Sequence, residues 1–456
     1  MNRKEEYEAL RLELEALPEE LGGTVDRALA KRSASRRKWR IFGGSAAGMA
    51  ACFACFVLLV NLSVPFAMAC GRVPWLRELA KAVAFSPSLS AAVENEYVQP
   101  IGETKSEGGI TVTVEYVIVD RKQLNIFYTA QFPEEQTLYV DYDYELDDLH
   151  SWAGSSGSAQ LTSGELTQIK LEFVESDVPA SLGVRFGFYD EKARREAEPD
   201  QDTAEMPEYR EPDFLAEIPF QLEFDPYYTA QGEIIPVDTA FTLDGQRLTL
   251  TEVELYPTHL RVNLEADAGN TAGLAGLELY LENEYGERFE RPGGITAMGD
   301  PEGEGMATFW LDSTFFSQGE HLTLYITQAK WKDKDAPRVR LNLPEGTAEN
   351  LPQGVSLLTT ERRDGSWRVV FLEKIGTPGN LMSCHGFWDE DGKHYDIWQS
   401  GSRLSYRDPE TGEWIEEEGT STEDFALSGF SGSVVYLEPT HNRATHFDVP
   451  VAIPIK

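Results

Sequence analysis

The sequence predicts a mainly β protein with a short cytoplasmic helical arm, one transmembrane helix, and tandem Ig-like β-sandwich domains outside the membrane. Three observations support this fold class. Residues 41–69 contain no charged side chain, apolar and polar residues alternate from residue 108 onward, and one hairpin pattern occurs twice at a spacing of 136 residues. A chain of 456 residues has room for two or three domains.

The cytoplasmic arm, residues 1–40, carries an apolar stripe. Leu10, Leu14, Leu17 and Leu21 follow one another at steps of four, three and four residues, which places them on one face of a helix. A piece of this length has no core of its own in which to bury the stripe. Two interpretations stay open: a solvated helix beside the membrane, or a helix that binds a groove of a cytosolic protein.

Residues 41–69 are the predicted transmembrane helix, because about 20 apolar residues of helix cross the hydrocarbon core of a bilayer. Basic residues that flank a span stay in the cytosol. Six of them precede this segment, namely Lys31, Arg32, Arg36, Arg37, Lys38 and Arg40. We therefore expect a single-pass protein of the cell membrane, with its N-terminus in the cytosol and everything from Cys70 onward outside.

A cleaved signal peptide is the competing interpretation, since Ala67-Met68-Ala69 resembles a cleavage site. Forty residues precede the apolar run, however, whereas a signal peptide begins with a short basic region. A lipoprotein is disfavoured too, because Ala67 stands where such sites usually have a leucine before their cysteine.

The formal net charge of −37 is distributed unevenly along the chain. Residues 1–40 carry ten Lys and Arg against eight Asp and Glu, so the remainder has a net charge of −39. A surface this acidic repels nucleic acid and favours either solvent or a cationic partner. The four cysteines, two of them within the predicted span, form no disulfide framework.

Residues 70–107 are predicted to form juxtamembrane helices outside the membrane. Trp75, Leu76, Leu79 and Val83 supply an apolar face, and prolines stand near the predicted helix starts. The apolar face is expected to pack against the domain that follows.

Strand periodicity begins at residue 108. ITVTVEYVIV (110–119) and LNIFYT (124–129) alternate on either side of a turn at 120–123, which predicts a β-hairpin with one buried face. Further strand-like runs occur at 137–144, 167–174, 182–189 and 213–224. Short strands separated by turn signals are typical of a β-sandwich, so residues 108–225 form the first predicted domain.

The hairpin recurs later in the chain. RLTLTEVELYPTHLRVNLEA (247–266) aligns without a gap on TVTVEYVIVDRKQLNIFYTA (111–130), and seven apolar positions agree. This repeat predicts a second sandwich domain over residues 231–345.

A third, weaker copy begins near Ser366, and DEDGKHY (389–395) matches the turn NEYGERF (283–289). Residues 346–456 are therefore a third predicted β-domain, either separate or partly merged with the second. Proline-bearing strands end the units, and proline belongs at sheet edges or strand ends.

The chain resembles a family of Gram-positive bacterial membrane proteins. A single span after a short arm, Pro74 and Leu76 beyond it, and SAAVENEYVQP running into GGITVTVEYVIVDRKQLNIFYTAQF are similar to proteins with domain of unknown function 4179. The similarity covers residues 40–135. Residues 235–330, with ELYPTHLRV, resemble the β-domain that often follows it.

The resemblance implies an anti-sigma or sensory role, because members are often encoded beside extracytoplasmic-function sigma factors. A sigma factor is then the expected cytosolic partner of residues 1–40. The arm contains neither histidine nor cysteine, so the zinc-binding signature of one anti-sigma class is absent from it.

We predict no enzymatic activity and no cofactor. The seven histidines are scattered, and no G-x-S-x-G, H-E-x-x-H or phosphate-binding glycine loop occurs. Cys384-His385 with His394 has a spacing that fits no usual zinc site. A metal-dependent hydrolase is accordingly the most remote alternative.

Calcium is the other metal considered, since Asp141, Asp143, Asp147 and Asp148 cluster in DYDYELDD. They lack the order of ligands in an EF-hand, so we favour a solvated strand edge over a metal site.

The predicted function is that of an anti-sigma-like membrane regulator or sensor, with envelope-facing β-sandwich domains, an unspecified extracellular ligand and a partner-binding cytoplasmic arm. The alternative is a cell-surface adhesin or a carbohydrate- or peptide-binding protein without a signalling role. The aromatic side chains considered for such a binding groove are Trp152, Trp388, Trp398 and Trp414.

Overall fold

A computed structural model describes residues 79–456 apart from gaps at 134, 146–151, 157–159, 198–210, 292–296, 300–304, 364–365, 375–380, 398, 408–410 and 418. The predicted cytoplasmic arm and the predicted transmembrane helix lie outside the described residues. Within that described part, no helix is both long and apolar enough to cross a membrane.

The described chain is mainly β, as predicted. Its helical parts are a turn at residues 79–82 and the short helices α1 (Pro87–Glu94), α2 (Glu191–Ala197) and α3 (Pro226–Thr229). All the pairings between its strands are antiparallel.

The first sandwich module contains the strands β1 (Gln99–Glu107), β2 (Ile110–Val119), β3 (Gln123–Gln131), β4 (Leu138–Glu145), β5 (Trp152–Ser156), β6 (Gln160–Leu161), β7 (Leu166–Phe173), β8 (Ser181–Asp190) and β9 (Ala216–Glu223). One sheet has the order β1-β2-β3-β7-β5 and the other β6-β4-β8-β9. Side chains from both sheets share one core, which includes Val112 and Leu124 from one sheet and Phe186 from the other. The predicted hairpin is confirmed, because β2 and β3 pair from Val119–Leu124 outward.

The second sandwich module contains the strands β10 (Glu233–Leu243), β11 (Gln246–Leu255), β12 (Leu260–Ala266), β13 (Ala272–Asn283), β14 (Arg288–Phe289), β15 (Ala297–Gly299), β16 (Gly305–Leu311), β17 (Leu322–Asp333) and, from the end of the chain, β29 (Arg443–Pro454). Its sheets have the orders β10-β11-β12-β16-β15 and β14-β13-β17-β29. The long strands occupy the same positions as in the first module, whereas the short strands next to β13 and β16 occur along the chain in the opposite order to their counterparts β6 and β5. Both sheets contribute to a second core, which includes Trp331 and Ile453.

The repeat extends to irregularities of the backbone. The β1–β2 pairing shifts register just after Pro100, and the β10–β11 pairing shifts just after Pro236, 136 residues later. Inside these bulges, Gly102 and Asp238 both have positive φ angles, of 68° and 49°. Glycine and aspartate are among the residues that accept this conformation most readily. The two modules therefore share one backbone plan that includes its bulges.

The third module contains the strands β18 (Val339–Asn342), β19 (Thr347–Glu349), β20 (Val355–Arg363), β21 (Ser366–Lys374), β22 (Gly386–Trp388), β23 (His394–Asp396), β24 (Gln399–Arg403), β25 (Ser405–Arg407), β26 (Trp414–Glu416), β27 (Thr420–Leu427) and β28 (Val434–Leu437). The sheets β19-β18-β28-β22-β23 and β20-β21-β27-β24 enclose a third core, and β25 and β26 form a separate ribbon.

The third module is inserted into the second. β17 precedes it and β29 follows it, yet these two strands pair with each other from Trp331–Arg443 to Thr323–Pro454. The chain therefore leaves one strand of the second sandwich, builds the third module, and returns as the neighbouring strand. β29 is an edge strand, which suits its prolines at positions 450 and 454.

The matched turns have the same hydrogen bonds. Asn283 Oδ1 accepts from the amides of residues 285 and 287, and Asp389 Oδ1 accepts from those of 391 and 393. Each turn also contains a glycine with a positive φ angle, of 77° at Gly286 and 78° at Gly392. The similarity of these two sequence stretches thus reflects one turn used in two modules.

The expectation of helices throughout residues 70–107 is wrong for its last part, because residues 99–107 form β1. This strand lies at a sheet edge, and most of its side chains are partly exposed on both faces. The bulge at Gly102 interrupts its alternation further. A period of two is therefore not visible in its sequence.

The returning strand provides a test of the insertion. Ile453 is 3% exposed and belongs to the second core, whereas Val449 on the same strand is 81% exposed. We expect Ile453→Ala to lower the free energy of unfolding of the full chain by about 2–4 kcal/mol, and Val449→Ala to change it by less than about 0.5 kcal/mol. Urea unfolding followed by circular dichroism measures both. Equal effects of the two substitutions would contradict the pairing of β29 with the second module.

Candidate functional site

Residues 79–98, which precede β1, pack at the junction of the first two modules. Ser86 caps α1 by accepting a hydrogen bond from the amide of Leu89, and Pro87 stands in the first turn. The apolar face of the segment meets the outer face of β2 and β3 in what we call the junction cluster, formed by Leu79, Val83, Leu89, Ala92, Val93, Tyr97, Val98, Tyr116, Ile118 and Phe127. Phe316 of the second module packs against the same cluster.

Hydrogen bonds tie this segment to the second module. Ser88 Oγ donates to Asp312 Oδ1 at 2.9 Å and accepts from the amide of Ser313 at 2.8 Å. The ring of Tyr97 lies edge-on to Phe316, with the ring centroids 5.7 Å apart. Its hydroxyl donates to the carbonyl of Tyr228 at 2.7 Å, and burial raises the pKa of this tyrosine. The segment thus has fixed contacts on both sides.

A buried carboxylate joins the equivalent hairpin turns of the two modules. Thr258, in the turn between β11 and β12, donates to Asp120 Oδ2 from its amide at 2.9 Å and from its hydroxyl at 2.6 Å. The amides of Lys122 and Gln123 donate to Asp120 Oδ1 at 2.9 and 2.8 Å. Burial raises the pKa of Asp120, and these hydrogen bonds oppose that shift.

Arg261 crosses the same interface from β12. Its Nη2 donates to the carbonyl of Phe173 at 2.6 Å, and its guanidinium lies 5.2 Å from the ring centroid of Trp310. Glu254 supplies the counter-charge, with 3.8 Å between its Oε2 and Nη1 of the arginine. The arginine therefore holds the end of β7 in the first module against the second.

The junction is a packed interface between the two modules and does not form an open pocket. Asp120, His259 and Arg261 are 0, 1 and 2% exposed, so a substrate has no access to them. Burial and the charge of Arg261 hold the pKa of His259 well below its ordinary value, which keeps the imidazole neutral. Its Nδ1 lies 3.0 Å from the hydroxyl of Thr258. These buried contacts join the two modules.

Sequence reasoning missed these junction residues. The available signal was the loss of alternation at the end of β2, where Tyr116 and Ile118 are buried as completely as Val117 and Val119. A strand that is buried on both faces must be covered by another element. The sequence does not show that α1 and the second module cover it.

The candidate partner-binding leucines and flanking basic residues lie outside the described part of the chain; they are Leu10, Leu14, Leu17, Leu21, Lys31, Arg32, Arg36, Arg37, Lys38 and Arg40. They stay predictions. No described residue bears on the cytoplasmic partner.

The acidic stretch considered for calcium is only partly described, since Asp147 and Asp148 lie in a gap. Asp143 on β4 accepts a hydrogen bond from Arg185 Nη2 at 2.8 Å, so a cationic side chain already occupies this face. In the described residues, no group of three or more His, Cys, Asp or Glu is placed to hold a metal ion.

Two of the four tryptophans considered for a binding groove have described side chains. Trp414 on β26 is 65% exposed. Trp388 on β22 is partly buried, with the guanidinium of Arg338 3.7 Å from its ring centroid. They belong to different sheets, so they do not extend one aromatic surface.

The cysteine and histidines considered as metal ligands point to different environments. Cys384 is buried, and burial raises the pKa of its thiol far above the ordinary range. His385 and His394 are exposed.

Glu423 lies in the same module, and burial together with the charge of Glu373 raises its pKa to about 7.

Two family models match the chain. Residues 35–131 match the domain of unknown function DUF4179. The protein carries a DUF4179 domain. Residues 232–352 match the family of unknown function DUF5643, so the second domain expected from the resemblance is present as well. The DUF4179 match ends at the last residue of β3, and the DUF5643 match ends before β29. The hydrogen bonds between Asp120 and Thr258 therefore join the two family domains.

Comparison with solved structures gives a similarity to the crystal structure of the conserved domain protein from Bacillus anthracis. The similarity covers 56% of this chain and 85% of that chain, at 15% sequence identity and a TM-score of 0.36. Comparison with curated proteins gives no match.

The junction is tested by Thr258→Val, which keeps the shape of the side chain and removes the hydroxyl donor to Asp120. Because a buried acceptor that loses a donor keeps its desolvation cost, we expect the free energy of unfolding to fall by about 1–3 kcal/mol. Thr242→Val, at an exposed position of β10, is the matched control and should change it by less than about 0.5 kcal/mol. Urea unfolding measures both, and an unchanged stability of the Thr258→Val variant would contradict the role given to this hydrogen bond.

The pKa of Glu423 predicts a pH dependence. In the folded state this carboxyl keeps its proton up to about pH 7, whereas in the unfolded chain it ionises near 4.5. Its contribution to stability is therefore full below pH 4.5 and falls as the pH rises to 7. Glu423→Gln should be more stable than the wild type at pH 8 by on the order of 2–3 kcal/mol, and equally stable at pH 4.5.

Urea unfolding at a series of pH values measures this difference. The control is Glu416→Gln, at an exposed position in the same module, which should change the free energy of unfolding by less than about 0.5 kcal/mol. If the free energies of unfolding of the wild type and Glu423→Gln differed by the same amount from pH 4.5 to 8, the raised pKa of Glu423 would be refuted.

Proposed function

We propose that this protein is a single-pass membrane regulator of the anti-sigma type, in which envelope-facing β-modules control a cytoplasmic arm. The observation that carries the proposal is the position of residues 79–98 between the first two modules. In sequence, this segment begins ten residues after the predicted span ends at residue 69. It is the one connection between the described modules and the predicted membrane helix.

The proposed mechanism is mechanical. The segment contacts the first module through the junction cluster and the second through Ser88, Asp312 and Phe316. If a ligand favours one arrangement of the two modules over another, it shifts the population toward that arrangement. The segment would then move with the modules, and the predicted helix would carry this change across the membrane.

Charge supports the proposed orientation. The portion after residue 40 has a net charge of −39, whereas the residues just before the predicted span are strongly basic. This asymmetry accords with retention of the basic side in the cytosol. It also disfavours nucleic acid as a direct partner of the outer modules.

The arm is the proposed contact with a cytosolic sigma factor. Burial of three leucines of its stripe in a groove would contribute roughly 4–9 kcal/mol before the costs of association and of ordering the helix. Micromolar affinity is within reach of that gain. The proposed role requires neither a cofactor nor enzymatic activity.

An adhesin or peptide-binding protein is the second candidate, and the exposed Trp414 favours it. This side chain stands on the ribbon of β25 and β26, where it is 65% exposed. An adhesin requires no leucine stripe in the cytosol. The arm therefore separates the two functions.

Affinity purification of the full chain from its own cells tests the regulator. We expect the wild type to retain a sigma factor. The Leu14→Asp, Leu17→Asp double variant should recover at least tenfold less sigma factor, because a charge on the stripe opposes its burial. Leu12→Asp is the matched control, since the predicted helix would place residue 12 on the face opposite the stripe, and this variant should retain the partner.

Loss of the sigma factor should also raise transcription from its promoters. Absence of any sigma factor with the wild type, together with unchanged transcription after deletion of residues 2–22, would refute the regulator and favour the adhesin.

A further inference from the structure

A cleft of about 1100 Å³ lies where the third module joins the second. Both chain crossings between the modules line it, with residues 332–334 and 336–339 on the way out and residues 438–439 and 442–444 on the way back. Residues 350–354 and Lys374 of the third module complete the wall. Ligand sites in proteins occur preferentially between domains, in clefts of about this volume.

The cleft is cationic although the chain is strongly acidic. Its walls carry five basic side chains against two carboxylates, Asp333 and Glu438, in a chain with a net charge of −37. The basic residues are Lys332, Lys334, Arg338, Lys374 and Arg443. A concave site in which one sign of charge is in excess attracts ions of the opposite sign.

Two of these cations share one carboxylate. Glu438 Oε1 lies 2.9 Å from Lys332 Nζ, and Glu438 Oε2 lies 3.1 Å from Arg338 Nη2. Both cations lower the pKa of Glu438. Glu438 thus holds both cations at the wall of the cleft.

Packing holds the cations in place before a ligand arrives. The guanidinium of Arg338 lies 3.7 Å from the ring centroid of Trp388, and that of Arg443 lies 6.0 Å from the ring centroid of Trp331. Arg443 also donates to Asp333 Oδ1 at 3.2 Å and to Asp244. Lys374 Nζ lies 3.4 Å from Glu417 Oε2, so carboxylates orient the cations on both sides of the cleft. Side chains that are already oriented lose little entropy on binding.

We propose that this cleft binds a ligand with two or more anionic groups, either carboxylates or phosphates, and that the ligand bridges the second and third modules. Cations stand on both sides, with Lys332 and Arg443 on strands of the second module and Arg338 and Lys374 in or next to strands of the third. A single anionic group satisfies one side, whereas two groups satisfy both. The site goes beyond the proposed regulator, since its binding is independent of the arm and of any sigma factor.

Calorimetric titration of the purified full chain tests the proposal with three probes: citrate for carboxylates, pyrophosphate for phosphates, and sucrose as a neutral control. We expect micromolar to millimolar binding of citrate, pyrophosphate or both, and no binding of sucrose. The affinity should fall as salt rises from 50 to 300 mM, because ions screen partly exposed charges. The tighter of the two anions identifies the anionic group that the site prefers.

Charge reversal places the binding in the cleft. We expect Lys334→Glu with Lys374→Glu to weaken binding of the anion at least tenfold, and Lys374→Gln alone to weaken it less. Lys105→Glu, on β1 of the first module, is the matched control and should change the affinity by less than twofold. Unchanged melting temperatures confirm that the variants fold.

Failure of the folded wild type to bind either anion at millimolar concentration would overturn the proposal. Equal weakening by Lys105→Glu and by the cleft variants would overturn it too, since that result indicates a general effect of charge.

Discussion

The structure depends on a carboxylate that is buried between two modules without a cation in hydrogen-bonding contact. Asp120 is fully buried, and its four hydrogen-bond donors come from its own turn and from Thr258 of the second module. Removal of a polar group from water is tolerated only when its hydrogen bonds are replaced. Separation of the modules would remove two of those donors at once. The carboxylate thereby favours one relative position of the turns, while α1 contacts both modules through its own side chains.

The two turns that meet at this carboxylate are equivalent positions of one repeated hairpin. Asp120 follows β2, and Thr258 lies in the corresponding turn after β11. The repeat kept the strands and the bulges but changed the polar residues of the turn. The copies are therefore complementary where they touch, with the acceptor in one module and the donor in the other.

Hydrophobic alternation predicted the local parts of this fold well. It identified the hairpin from Val112 to Tyr128 and its copy, because each such pattern is determined by residues close in sequence. It missed β1, whose exposure on both faces removes the alternation. It did not show that residues 443–454 leave the third module, because an edge strand has the same pattern in whichever sheet it joins. The junction depends on Asp120, Thr258 and Arg261, which are far apart in the chain and whose partners no local pattern specifies.

The third module is inserted between two paired strands, β17 and β29, where the chain could accept a different domain. Trp331 and Arg443 are directly opposed on neighbouring strands, so both ends of the inserted unit emerge at one edge of the second sandwich, about 5 Å apart. A short turn could close that gap in the absence of the whole module, and the nine strands of the second sandwich would still be complete. Residues 334–442 could therefore be exchanged as a unit while the first two modules keep their strands and their shared interface.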